Sequence, residues 1–191
     1  MAEPLHVAVL ADTHITAGRT LPDDVWDQLR QADVILHAGD VTSPELLDEL
    51  RAVAPLHVVL GNTDRSLVGA LPERLTVELA GTEIAMVHDS GTRAGREQRL
   101  HRWFPTAAIV VFGHSHDPVD HQGDHGQRLF NPGSPTQRRR QPHPTMGWLH
   151  LAAGGVVGHE IVPFHRPGPQ QPGPQQPGPR RPVPQRPGPQ R

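Results

Sequence analysis

Five apolar segments rich in β-formers each run out into residues that can hold a proton or a metal ion. Leu5–Ala11 finishes in Asp12-Thr13-His14, and the stretch 34–38 finishes in Gly39-Asp40. Residues 56–60 finish in Gly61-Asn62, the segment up to Val87 in His88-Asp89, and 107–112 in Gly113-His114-Ser115-His116. Between the first three lie two helical patterns. Residues 23–32 carry acids in their first turn, and 43–53 have Ser43 as N-cap, Pro44 at the first helical position and Leu46, Leu47 and Leu50 on one face. This βαβαβ order predicts parallel strands with right-handed crossovers.

The second half changes character. Residues 75–89 read as a hairpin turning at Ala80-Gly81-Thr82, 93–104 as a helix and 107–112 as a buried strand. Shorter hairpin-like strands follow at 128–134, 146–155 and 156–164. The expectation is two packed sheets with helices outside.

Ligands of α/β sheets bind beyond the carboxyl ends of the parallel strands. Taken singly, Asp-x-His, Gly-Asp and Gly-Asn are ordinary turn sequences. His-x-His is stronger, because both rings fall on one side of an extended chain. Five such ends in order are hard to attribute to turns. Three of them carry a glycine that lets backbones approach closely. Their imidazole, carboxylate and amide donors suit a pair of divalent transition ions such as Mn²⁺, Fe²⁺, Co²⁺, Ni²⁺ or Zn²⁺.

Other chemistries are excluded. The chain has no cysteine, hence neither disulfides nor thiolate nucleophiles. Gly-rich phosphate loops and a Gly-x-Ser-x-Gly elbow are absent. Without a basic leader at Met1-Ala2-Glu3-Pro4, or an apolar run near the roughly 18 residues of a membrane span, the expected location is cytoplasmic. Residues 1–165 hold thirteen basic against twenty acidic side chains, a net −7 that does not favour stable nucleic-acid binding.

The remaining residues, 166–191, carry +5 and run from Pro167 as the pentapeptides PGPQQ, PGPQQ, PGPRR, PVPQR and PGPQR. Such a composition cannot bury a core, so this segment reads as a disordered, polyproline-like tail on a 1–165 domain. Arg181-x-x-Pro184-x-x-Pro187 has the form of a ligand for a polyproline-binding partner.

The ordered set D-x-H, G-D, G-N-x-[DE], H and G-H-x-H resembles the calcineurin-like metallophosphoesterase superfamily. Gly61-Asn62-Thr63-Asp64 and Asn131-Pro132-Gly133-Ser134 are similar to its compact bacterial and archaeal phosphodiesterase branch, to which the phosphoesterase-like retromer subunit also belongs. The resemblance implies a four-layer α/β/β/α sandwich with two central mixed sheets. It implies that Asp12, His14, Asp40 and His116 hold one metal and Asp40, Asn62, His88 and His114 the other, Asp40 bridging. Of the divalent ions, Mn²⁺ is placed first, and the implied substrate is a small phosphoester. A bridging water between ions roughly 3.5–4 Å apart would then attack in line.

Asn62 would also position the phosphate, and Asp64 would orient a ligand imidazole. Where the family often has His-Gly-His, this chain has His88-Asp89-Ser90. Protein-phosphatase relatives carry a histidine at the position of Thr63. The Arg138-Arg139-Arg140 run reads as a solvated loop or a phosphate holder. His37, His6, His57 and His150 read as packed core residues. The rival readings are a phosphomonoesterase and a non-catalytic interaction module like the retromer subunit.

Overall fold

The computed structural model describes residues 3–165; the tail expected from residue 166 lies outside them. Alternation along the strands builds the layers. In β1 (Leu5–Leu10), Ala8 and Leu10 point to one core, while Val7 and Val9 point to another. β2 (Val34–His37) pairs with β1 in parallel, and β3 (Leu56–Val58) pairs with β2 likewise. Helices α1 (Asp23–Leu29) and α2 (Pro44–Val53) cover the first core with Val25, Leu29, Leu46, Leu47 and Leu50. Ser43 Oγ accepts the Leu46 N–H at 3.4 Å, so α2 begins where its N-cap pattern predicts.

The hairpin forms from β4 (Arg74–Leu79) and β5 (Thr82–Val87), joined by Ala80 and Gly81 at φ 48° and 75°. Two consecutive left-handed residues give the tight turn that matches strand twist. β6 (Ile109–Val111) and β8 (Arg128–Asn131) are parallel, and β7 (Val119–Gln122) runs antiparallel to β8 at the edge. β7 was not legible in the sequence, being a polar and mostly exposed edge strand. β9 (Thr145–Ala152) and β10 (Gly155–Pro163) complete the first sheet, ordered β10-β9-β1-β2-β3; the second is β4-β5-β6-β8-β7. Ile84, Met86, Ile109 and Val111 face the first sheet, and Ala85, Val110 and Phe112 face Leu100 of α3 (Arg96–Trp103).

The result is α/β/β/α in four layers, as expected. Among the described residues, no helix is long and apolar enough to cross a membrane.

Of the four histidines expected in the core, only His37 is fully buried. His57 lies on edge strand β3. His6 and His150 pair across β1 and β9 with Nδ1 atoms 2.9 Å apart, and all three rings are half-buried. His37 Nε2 lies 3.0 Å from Thr13 Oγ1, while Nδ1 has no hydrogen-bond partner among the described residues.

Burial, then the neighbouring His88 charge, pushes the His37 pKa down to about 3. An unfolded chain takes up a proton there near pH 6.5, whereas the folded one does not until about pH 3. Folding stability must therefore fall with pH through that window, by on the order of several kcal/mol in full. His37→Gln should give a shallower acid slope than the wild type in urea midpoints taken between pH 7.5 and pH 4. Parallel slopes would remove His37 as the cause.

Candidate metal centre

Four strands and the loop after β3 deliver their polar ends to one place because their backbones nearly touch. A Cβ built on Gly61 would lie 2.0 Å from Asp40 N and 2.2 Å from Asp40 Oδ1. Only glycine fits there. Asp12, His14, Asp40, His114 and His116 all take positive φ, between 44° and 70°. Side chains rarely adopt that conformation, and strain of this kind concentrates at functional sites.

Two donor groups result. In the first, His14 Nε2 lies 3.2 Å from His116 Nε2, and His116 Nε2 lies 3.4 Å from Asp12 Oδ1. In the second, Asn62 Oδ1 sits 3.0 Å from His88 Nε2 and 2.9 Å from His114 Nδ1. Asp40 joins them: its Oδ2 is 3.6 Å from His14 Nε2 and 3.5 Å from His88 Nε2, while its Oδ1 accepts the Thr63 N–H at 2.8 Å. The rings of His114 and His116 thus go to different groups. Asp12 also lies within ligand distance of both Asp40 and His88.

The tautomers suit ligation. His88 Nδ1 is 2.7 Å from the Ala38 carbonyl and His116 Nδ1 is 2.7 Å from the Gln137 carbonyl. A carbonyl only accepts, so each Nδ1 carries the proton and aims Nε2 into the site.

The electrostatics also call for cations. Asp12 is buried, its Oδ2 has no hydrogen-bond partner among the described residues, and burial raises its pKa to about 7. Burial lowers His14 and His116, so both rings keep lone pairs. Burial also opposes charge on Asp40, yet hydrogen bonds from His88 and Thr63 hold its carboxyl below the usual range. Burial opposes charge on His88 too, but the Asp40 carboxylate raises it. A cation bound between His88 and Asp40, whose Nε2 and Oδ2 are 3.5 Å apart, would neutralise the same carboxylate.

Asp64 does something other than orient an imidazole. Its carboxylate is buried and accepts three backbone N–H groups, from Asp40 at 2.9 Å, Gly61 at 2.8 Å and Thr42 at 2.7 Å. The imidazoles are oriented by the Ala38 and Gln137 carbonyls instead. Asp89 is exposed and caps its own turn by accepting Gly91 N–H at 2.7 Å.

The sequence reading did not foresee the work of Asn131 and Ser134. Asn131 Nδ2 donates to Gly113 O at 3.0 Å and Ser115 Oγ at 3.2 Å, and Ser134 Oγ donates to Asp12 O at 2.7 Å. The Asn-Pro-Gly-Ser string was their only sequence signal.

Residues 5–154 match the calcineurin-like phosphoesterase superfamily domain. The chain belongs to that superfamily. It is 35% identical over 137 residues to a probable metallophosphoesterase of Methanothermobacter thermautotrophicus, covering 70% of this chain and 78% of the relative. In three dimensions it is similar to Vacuolar Protein Sorting 29 from Cryptosporidium parvum, with TM-score 0.70, 19% identity and coverage of 86% of this chain and all of that one. It is also similar to an archaeal phosphodiesterase, with TM-score 0.61, 17% identity and coverage of 83% and 100%. The superfamily's phosphoesterases bind divalent metals, and the donor set described above fits such ions.

Proposed function

We propose that this chain is a phosphodiesterase that works with two divalent metal ions, Mn²⁺ foremost, on a small phosphodiester. The observation that carries this reading is the position of Asp40 Oδ2, within 3.6 Å of a donor nitrogen in each group. Bound there, the ions supply Lewis-acid charge that activates water and neutralises phosphoryl oxygens. Asp12, His14, Asp40 and His116 would hold one, and Asp40, Asn62, His88 and His114 the other.

The chain's own residues do the rest. Asn62 and His114 are exposed at the mouth, so the Asn62 amide can meet an incoming phosphoryl group. Asp40 Oδ1, held by the Thr63 N–H, keeps Oδ2 turned inward. The net −7 body argues for a small, nucleotide-sized substrate over a long nucleic acid.

Turnover of bis-p-nitrophenyl phosphate and p-nitrophenyl phosphate, with the metal varied among Mn²⁺, Ni²⁺, Fe²⁺, Co²⁺ and Zn²⁺, tests the reading. The diester should be hydrolysed faster, and chelation should stop the reaction until metal is returned. Faster monoester hydrolysis would make the protein a phosphomonoesterase. If no metal supports either reaction, the likeness to Vacuolar Protein Sorting 29 would favour an interaction module.

Thr63 bears on the leaving group. It is exposed beside Asp40, and its hydroxyl has no useful pKa for protonating an alkoxide. A general acid contributes roughly 10²–10⁴-fold. Aryl esters should therefore react well and simple alkyl phosphomonoesters poorly, and Thr63→His should raise the alkyl rate more than the aryl rate. Equal wild-type rates on both classes would mean that another group already supplies the proton.

A further inference from the structure

The three consecutive arginines at 138–140 are indistinguishable as sequence, yet the fold treats them differently. The loop carrying them is pinned to the site at three points. Ser134 Oγ donates to Asp12 O at 2.7 Å, Thr136 Oγ1 donates to Thr13 O at 2.7 Å, and His116 Nδ1 donates to Gln137 O at 2.7 Å. A tight turn follows, closed by Gln141 N–H to Arg138 O at 2.8 Å. Gln141 Nε2 then ties that turn to Asp117 Oδ1 at 2.7 Å, one residue beyond His116.

Within this turn Arg138 is spent on structure, its Nη1 donating to Gln141 O at 2.7 Å. Arg140 is exposed and has no side-chain partner among the described residues. Arg139 takes φ 47°, a left-handed conformation that is unfavourable for arginine and redirects its side chain. Its Nη1 reaches to 3.5 Å from the carbonyl of His114, and it pairs with no carboxylate among the described residues. The guanidinium therefore stands, exposed, against the loop that bears His114 and His116.

The anchors of the loop also fall on one side of the centre: on Asp12, on Thr13 beside His14, and on His116. Asp12, His14 and His116 are one of the two donor groups.

We infer that Arg139 binds the phosphoryl group of the substrate, donating N–H bonds to a non-bridging oxygen on the Asp12–His14–His116 side of the centre. A guanidinium suits this task because it is always charged and presents paired donors matched to phosphate oxygens. The strained backbone and the pinned loop hold it there before substrate arrives. The inference deepens the phosphodiesterase reading and rests on it for the identity of the bound group.

The test uses the full chain loaded with Mn²⁺, with inorganic phosphate as the probe in isothermal titration and diester turnover measured in parallel. Arg139→Gln should weaken phosphate binding roughly 10- to 100-fold, the loss of a charge-assisted hydrogen-bonded contact, at unchanged metal content. KM for bis-p-nitrophenyl phosphate should rise alongside. Arg138→Gln and Arg140→Gln should each stay within about threefold of wild type, the range of a screened surface charge. Arg139→Lys should recover part of the affinity.

Equal phosphate affinity in Arg139→Gln and wild type would overturn the assignment. So would an equal loss in all three glutamine variants, which would mean a diffuse basic field, or a wild type that binds no phosphate. Phosphate binding that depends on Arg139 in a protein that turns over no ester would instead uphold the inference and sink the phosphodiesterase reading.

Discussion

Asp40→Ala should abolish hydrolysis and strip the protein of metal, a larger functional loss than any other single ligand change. Asp40 Oδ2 faces a donor nitrogen of each group, His14 at 3.6 Å and His88 at 3.5 Å. On the proposed two-metal reading, removing it would take a ligand from both ions and leave their mutual repulsion unscreened. It also frees the Thr63 N–H that Oδ1 holds.

His37→Ala is the matched control, three residues back on the same strand end. It truncates a buried ring and should cost a few kcal/mol of stability as a core deletion. Metal content, read by inductively coupled plasma spectrometry, and activity should survive at temperatures where the variant remains folded. Comparable metal loss in both variants would mean that the strand's ligand has been misassigned.

The layers of this fold were legible in the sequence because alternation and helical spacing are properties of side chains. Ala8 and Leu10 against Val7 and Val9 already name two faces of one strand. The donors were legible for a related reason: each stands where an apolar run stops. The strands nonetheless end earlier than the apolar runs do, β2 at His37 and β3 at Val58. Beyond those points the chain must turn sharply to bring Asp40 and Asn62 inward. Positive φ at Asp40 and the near contact of Gly61 with Asp40 belong to that turn, and no letter pattern records them.

What could not be read involves the backbone as a partner. The carbonyls of Ala38 and Gln137 orient two imidazoles, and any residue type could have supplied them. The exposed edge strand β7 escaped for another reason, since its burial is too slight to impose alternation. Asp64 belongs to the first kind. Its motif position suggested a partner for an imidazole, whereas its true partners are three amides, invisible in a string of side chains.

Those amides make Asp64 the site of the largest expected loss of stability. Asp64→Ala would leave the N–H groups of Asp40, Gly61 and Thr42 without their acceptor, in surroundings where Asp64 itself is 1% exposed. A buried donor stripped of its partner costs about 1–3 kcal/mol, more when the lost acceptor was charged. Three of them come to roughly 3–9 kcal/mol, a large fraction of the 5–15 kcal/mol by which domains are usually stable. Asp40 and Thr42 are also held at φ 59° and 66°, conformations that relax once the anchor goes.

Asp64→Asn sharpens the test. Its one amide oxygen can still accept, but its NH₂ would face amide donors, so it should retain only part of the lost stability. Had Asp64 acted by orienting an imidazole, the asparagine variant would be nearly as stable as wild type and would differ in metal affinity alone. Urea unfolding of metal-free protein separates these outcomes, with exposed Asp89→Ala as a control expected to cost under about 1 kcal/mol. A metal-free Asp64→Asn that unfolds at the wild-type midpoint would show that the three amides find other acceptors.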